Sequence, residues 1–195
     1  MAMSWIEDAD EAVPDVAGLY ARERATRGYV PDYTRVLAHR SRVLRAWEDL
    51  NGAVKATTDA RRYELATLGA ALRLRSSYCS LAHGRVLAEH HLDAGTVAAI
   101  AQGRADDVLD PVDAAVVRLA DRVAAGAAAM TEDDLAELRD LGLGDEEILD
   151  VVLAAAARCF FSTVLDAVGA RPDAAYRELD ADLRDALTVG RPIAD

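Results

Sequence analysis

Cysteine is nearly missing from this 195-residue chain. The two that occur, Cys79 and Cys159, stand 80 positions apart. That excludes a CxxC pair, a zinc ribbon and a disulfide framework, and both thiols are expected to stay reduced in a cytoplasmic protein. Basic residues are also short. Lys and Arg number 22 against 34 Asp and Glu, for a net charge of −12. A nucleic-acid partner needs a basic face that such a chain lacks, and docking on an anionic membrane is disfavoured. Long apolar runs are absent: the longest, residues 151–157, is far too short to span a bilayer. The N-terminal MAMSWIEDADEAVPD is acidic and has no apolar core, so no signal peptide is expected. Neither a Gly-rich phosphate loop nor a dinucleotide fingerprint occurs, so flavin, nicotinamide and nucleotide have no support. No cofactor and no metal is expected.

What is present is helical. Apolar residues make up 52%, Gly (12) and Pro (5) are few, and Ala and Leu dominate over β-branched runs. No stretch alternates with period two for long enough to form a strand. Apolar residues recur at helical spacing over 15–26, and Gly28 ends that segment. Pro31 opens a segment carrying Tyr33, Val36 and Leu37. The next, 41–50, places Val43, Leu44, Trp47 and Leu50 on one face, and Asn51-Gly52 is read as its break, with a short helical stretch at 53–56. Thr57-Thr58-Asp59 offers N-cap residues for a helix over 60–74. Ser76-Ser77 interrupts, and a helix over 78–90 follows, then one over 94–102. Asp110-Pro111 opens another. Thr131-Glu132-Asp133-Asp134 reads as a capping box. Residues 145–168 form a long Ala-rich helix closed by Gly169, and two short helices are expected near 172–179 and 182–187. The reading is an all-α fold of about eight or more helices in one domain, 1–195.

The chemistry concentrates between Tyr63 and His91. Ser76, Cys79 and His83 fall at i, i+3 and i+7, along one helix face. With Ser76 or Ser77 as N-cap, Cys79 lies in the first turn, where free backbone N–H groups and the helix dipole favour a thiolate. His83, four residues on, can take the thiol proton. Glu64 reaches the pair if its helix packs antiparallel through the turn at 75–77, and there it orients His83 or holds a relay water. A free cysteine of this kind equally well simply packs in a core, and Ser76 equally well only caps.

Glu64, Ser76, Cys79 and His83 spell E-x11-S-x-x-C-x-x-x-H. The pattern, with the surrounding RRYELATLGAALRLRSSYCSLAHGRVL and the later LGLGDEEILDVVLAAAARCFFSTVLDAVGARPD, resembles the alkylhydroperoxidase D (AhpD-like) and carboxymuconolactone decarboxylase family over about residues 44–180. The peroxidase branch of that family carries E-x11-C-x-x-C-x-x-x-H. The resemblance implies an all-helical, homo-oligomeric protein (dimer, trimer or hexamer). It further implies a catalytic set of Cys79, His83, Glu64 and Ser76, with Cys79 as the thiol that meets a small-molecule hydroperoxide and His83 and Glu64 as a proton relay. Ser76 stands where the branch has its first cysteine, so the family's internal disulfide cannot form there. A sulfenic acid on Cys79 then needs an external thiol, a thiol protein or Cys159.

Two other functions remain open. In one, Glu64 and His83 perform acid–base chemistry on a small carboxylated lactone, with Arg73, Arg75 or Arg85 holding the carboxylate. In the other, the chain is a redox sensor or a helical scaffold. Cys159 lies in an apolar helix and reads as packing or as a resolving thiol. His90 and His91 read as a polar helix end, and His39 stands alone. Tyr78 packs or donates to substrate. Trp47, Tyr63, Phe160 and Phe161 read as core or subunit-contact residues.

Overall fold

The computed structural model describes residues 4–195, and no strand occurs among them. Eleven α-helices follow one another: α1 (Pro14–Arg27), α2 (Asp32–Leu37), α3 (Ser41–Thr57), α4 (Ala60–Arg73), α5 (Ser77–His90), α6 (Ala94–Ala101), α7 (Ala105–Val108), α8 (Pro111–Gly126), α9 (Asp133–Asp140), α10 (Asp145–Ala167) and α11 (Ala181–Leu187). Short 3-10 turns follow α2 and α8 and precede α11. Aspartates start four of the helices: Asp59, Asp93, Asp110 and Asp180 each accept a backbone N–H of the first turn, satisfying donors that have no partner within the helix.

The centre is α4. Its residues Tyr63 through Ala71 are all buried, with α8 and α10 packed on it and α5 returning alongside. Gly69 permits the approach of α8, since a Cβ there would lie 2.9 Å from the Val117 carbonyl oxygen. Leu65, Leu68, Leu81, Leu119 and Val151 fill this main core. A second, smaller core joins α1–α3 to α5 and α10 through Val16, Tyr20, Leu44, Trp47, Phe161 and Leu165, and it contains Cys79.

Between α4 and α5 the chain reverses within three residues. Arg75 takes φ 55°, the left-handed conformation that ends a helix, and Ser76 N–H returns to the Ala71 carbonyl at 2.9 Å. The C-terminal segment then crosses this turn. Gly190 N–H donates to Ser77 Oγ at 2.7 Å, and a Cβ on Gly190 would sit 2.0 Å from the Arg75 carbonyl oxygen. In the same way α11 lies on α5 at Gly84, with Ser80 Oγ donating to the Leu187 carbonyl.

Several local expectations change. Helix α3 runs through Asn51-Gly52 without a break. A mid-helix glycine costs only about 1 kcal/mol, and Leu44, Trp47 and Val54 are buried on both sides of it. The turn α7 has no counterpart in the sequence pattern. Residues 174–178 form a 3-10 turn rather than an α-helix. Helix α9 begins at Asp133, and only half of the expected capping box forms, Thr131 N–H to Asp134 Oδ2 at 2.8 Å. Helix α10, at 23 residues, is long and apolar enough by length and composition to cross a membrane, although its longest uninterrupted apolar run is short. Half of its apolar stretch is buried inside the fold, and it serves as the core helix against α4 and α8.

Candidate functional site

The antiparallel α4–α5 hairpin brings Glu64 to His83. His83 Nδ1 lies 2.5 Å from Glu64 Oε2, and both residues are buried. Lys55 of α3 approaches the other carboxylate oxygen at 3.4 Å and sits 4.7 Å from the centre of the Tyr63 ring. Burial pushes the Glu64 carboxyl up, but the His83 hydrogen bond and the Lys55 charge outweigh it and leave it below its ordinary value. Burial, reinforced by the Arg158 charge, pushes His83 down to about 4. At neutral pH the pair is therefore a carboxylate and a neutral imidazole. Nδ1–H donates to Glu64, which leaves the lone pair on Nε2.

Cys79 occupies the third position of α5, which begins at Ser77 after the N-cap Ser76. Unpaired N–H groups and the positive helix end surround such a position. The Cys79 side chain is buried and faces a group outside the E-x11-S-x-x-C-x-x-x-H pattern: Arg158 of α10, whose Nη1 is 3.6 Å from Cys79 Sγ. Arg158 is itself only 4% exposed. Among the described residues no carboxylate lies within ion-pair distance of it. Its guanidinium packs over Phe161 and Trp47, 5.5 and 5.8 Å from the ring centres, and its Nε is buried without a partner. A buried cation needs polar partners, and the Cys79 sulfur is one within reach of its Nη1. A signal was present in the sequence, since Arg158 is the single charge in LAAAARCFFSTVL.

These side chains open on one cleft of about 480 Å³. Cys79, His83 and Arg158 form its inner wall, with Tyr33, Trp47, Phe161 and Tyr176 around them and Arg22, Arg27, Glu23 and Glu48 at the rim. The rim charges are mutually paired: Arg22 bonds Glu48 and Glu23, and Arg27 bonds Glu23. Tyr78 also reaches the cleft, but its hydroxyl donates to buried Asp173 at 2.6 Å.

The remaining candidates lie elsewhere. Ser76 holds the N-cap position without a side-chain cap bond; it is fully buried and does not line the cleft. Cys159, half-buried on α10, is likewise absent from the cleft wall, and both cysteines are free. Arg73 and Arg75 line a different cavity of about 570 Å³ beside α8, which has neither a cysteine nor a histidine in its wall. Arg85 pairs with Glu89 on the surface. The three arginines expected to hold a carboxylate substrate are thus outside the cleft. His39 bonds the Glu7 carbonyl, and His90 and His91 pack ring against ring.

No family model matches the sequence, and no curated protein is similar to it. Solved structures do match the fold. One is the alkylhydroperoxidase AhpD core of an uncharacterized peroxidase-related protein from Ralstonia eutropha JMP134, with TM-score 0.80 and 20% identity over 90% of this chain and 95% of that one. The chain has the AhpD-like fold. An uncharacterized peroxidase-related protein from Silicibacter sp. TM1040 matches with TM-score 0.77 and 18% identity, covering 87% and 91% of the two chains. The debrominase Bmp8, solved as a cysteine-to-alanine variant with 2,3,4-tribromopyrrole, matches with TM-score 0.75 and 14% identity over 93% and 96%. The AhpD-like architecture therefore includes peroxidase-related proteins and a debrominase.

Proposed function

We propose that the protein is a cytoplasmic, cofactor-free thiol peroxidase in which Cys79 reduces a small organic hydroperoxide. The observation that supports this most directly is the buried guanidinium of Arg158, without a carboxylate partner, 3.6 Å from Cys79 Sγ. It is placed to hold the negative charge that develops on the sulfur and the peroxide oxygens during the attack. Cys79 sulfur attacks the distal oxygen, forming the S–O bond as the O–O bond breaks. His83 Nε2 takes the thiol proton and passes it to the leaving alkoxide oxygen, giving an alcohol and a sulfenic acid. Glu64 holds His83 in the tautomer that leaves Nε2 free. An external thiol displaces water from the sulfenic acid to give a mixed disulfide, and a second thiol restores Cys79 and leaves as a disulfide. The cleft does not reach Ser76, so we assign it a packing place rather than a bond to substrate.

The test is turnover of an alkyl hydroperoxide with a dithiol, together with iodoacetamide labelling at pH 7. Cys79→Ser is expected to abolish turnover, and Cys159→Ser to leave it intact. Arg158→Met is expected to slow labelling of Cys79 about tenfold, as loss of one charge-bearing partner near the reacting sulfur would, and Arg158→Lys to restore part of the rate. Full turnover in Cys79→Ser refutes the mechanism. A second reading, thiol-dependent removal of halogen from a small aromatic ring, draws support from the aromatic lining of the cleft, in which Trp47 and Phe161 stack on each other with ring centres 4.9 Å apart, and from the likeness to Bmp8. Halide release from a brominated pyrrole in place of peroxide turnover would select it.

A further inference from the structure

One charged residue beside the cleft stands out by its type. The chain has 21 arginines and a single lysine, and that lysine is Lys55, at the Glu64 carboxylate. It reaches Glu64 because α3 continues through Asn51-Gly52. Asn51 and Lys55, one turn apart on α3, both meet Tyr63 of α4. Asn51 Oδ1 accepts the Tyr63 hydroxyl at 2.7 Å, and Lys55 Nζ lies 4.7 Å from the ring centre. The ammonium is thus held over Tyr63 and 3.4 Å from Glu64 Oε1, while Glu64 Oε2 accepts from His83 Nδ1.

The kind of donor matters at this place. A guanidinium is a planar fork that takes both oxygens of a carboxylate, whereas an ammonium is a point donor. Elsewhere in this chain the fork does so: Arg22 on Glu48, Arg24 on Glu11 and Arg73 on Asp121 each engage both oxygens. An arginine in place of Lys55 would therefore compete with His83 for Oε2. A neutral side chain would leave the Glu64 side chain, only 5% exposed, facing the imidazole alone.

We propose that Lys55 is a positioning residue: it clamps one oxygen of Glu64 and so reserves the other for His83 Nδ1–H, which leaves Nε2 free to act as base. This rests on His83 serving as the base of the peroxidase reading. It makes the tautomer of His83 depend on a half-exposed cation of another helix. The titratable and charged groups that face His83 are Glu64 and Tyr63 from α4, Lys55 from α3, Cys79 from its own helix and Arg158 from α10. Burial first, then the Arg158 and Lys55 charges, disfavour a second proton on His83, against the pull of Glu64. Loss of the Lys55 charge makes that proton easier to add. Loss of the one-oxygen geometry instead frees Nδ1 and mixes the tautomers.

Nitrogen-15 NMR of the histidine rings in the full chain, between pH 5 and 7.5, tests this. The His83 signals are identified by their loss in His83→Gln. The wild type is expected to hold the Nδ1–H tautomer throughout, since His83 titrates at about 4. Lys55→Met is expected to keep that tautomer at pH 7.5 but to gain the second proton about one pH unit higher, the size of a removed neighbouring like charge. Lys55→Arg is expected to stay unprotonated and show both tautomers, with hydroperoxide turnover at pH 7.5 reduced about tenfold or more, the direction a lost tautomer produces. An exposed ion pair without this role leaves both variants unchanged, so either variant matching the wild-type spectrum overturns the proposal. The spectrum needs no substrate. A wild type inert toward hydroperoxides ends the peroxidase reading, while the His83 signals still decide the role of Lys55.

Discussion

Two buried residues give opposite pH dependence to the stability of this fold. Asp32 is 2% exposed, and burial beside Asp173 raises its carboxyl to about 7 from an ordinary 3.8. Between those values the folded state holds a proton that the unfolded chain has lost, so stability falls as pH rises. His83 acts in reverse. Its value of about 4 lies below the ordinary 6.5, the unfolded chain holds the extra proton between them, and stability rises with pH across that window. In the wild type the two slopes offset each other below pH 6.5. Asp32→Asn removes one of them, so its urea midpoint is expected to climb more steeply than the wild type's between pH 4.5 and 6.5. At pH 7.5 its gain over the wild type is expected to be largest, about 1 kcal/mol for relief of a poorly paired buried charge. Parallel curves for the two proteins would contradict the Asp32 assignment. At this scale the sequence marked Cys79 and His83 by their spacing on one helix face, and Glu64 by the E-x11-S-x-x-C-x-x-x-H register that the resemblance rests on. It did not mark Arg158, because a seam position inside an apolar run carries no periodic signal, and only the third dimension brings it to a thiol 79 residues earlier.

At the scale of elements, close approaches without side chains distinguish two contacts that clamp α5. A methyl group at Gly84 meets the end of the Leu187 side chain, 2.5 Å away, whereas one at Gly190 meets the Arg75 backbone carbonyl at 2.0 Å. Leu187 can change rotamer; the carbonyl cannot move without opening the α4–α5 turn. Gly84→Ala is expected to cost about 1–3 kcal/mol, typical of overpacking, and Gly190→Ala distinctly more, both read as shifts of the urea midpoint. Equal costs would mean that the C-terminal segment yields easily. Helix starts were legible because aspartate caps act through neighbouring residues. The continuity of α3 across Asn51-Gly52 was not legible, because packing against α10 overrides a weak local preference. The sequence pattern marked a helical turn at 174–178 but not its 3-10 form. Its place depends on the Asp173 carboxylate, which accepts Tyr78 O–H and Asp32 N–H from distant elements.

For the whole molecule, the C-terminal strap is the tie that joins separate parts. Arg171 and Arg177 donate to the Ile193 and Ala194 carbonyls, Ala194 N–H reaches the Pro172 carbonyl, and Gly190 reaches Ser77. Deleting residues 189–195 is expected to lower the thermal midpoint by several degrees, since 1 kcal/mol corresponds to about 2–4 °C for a protein of this size. Amide exchange in the first turn of α5 is expected to accelerate. An unchanged melt would show that the strap adds nothing.

The strap also orders events during synthesis. The Gly190–Ser77 bond spans 113 residues. At about 5–20 residues per second, roughly 6–23 s separate the making of its two ends. For that interval the start of the helix that carries Cys79 lacks this tie.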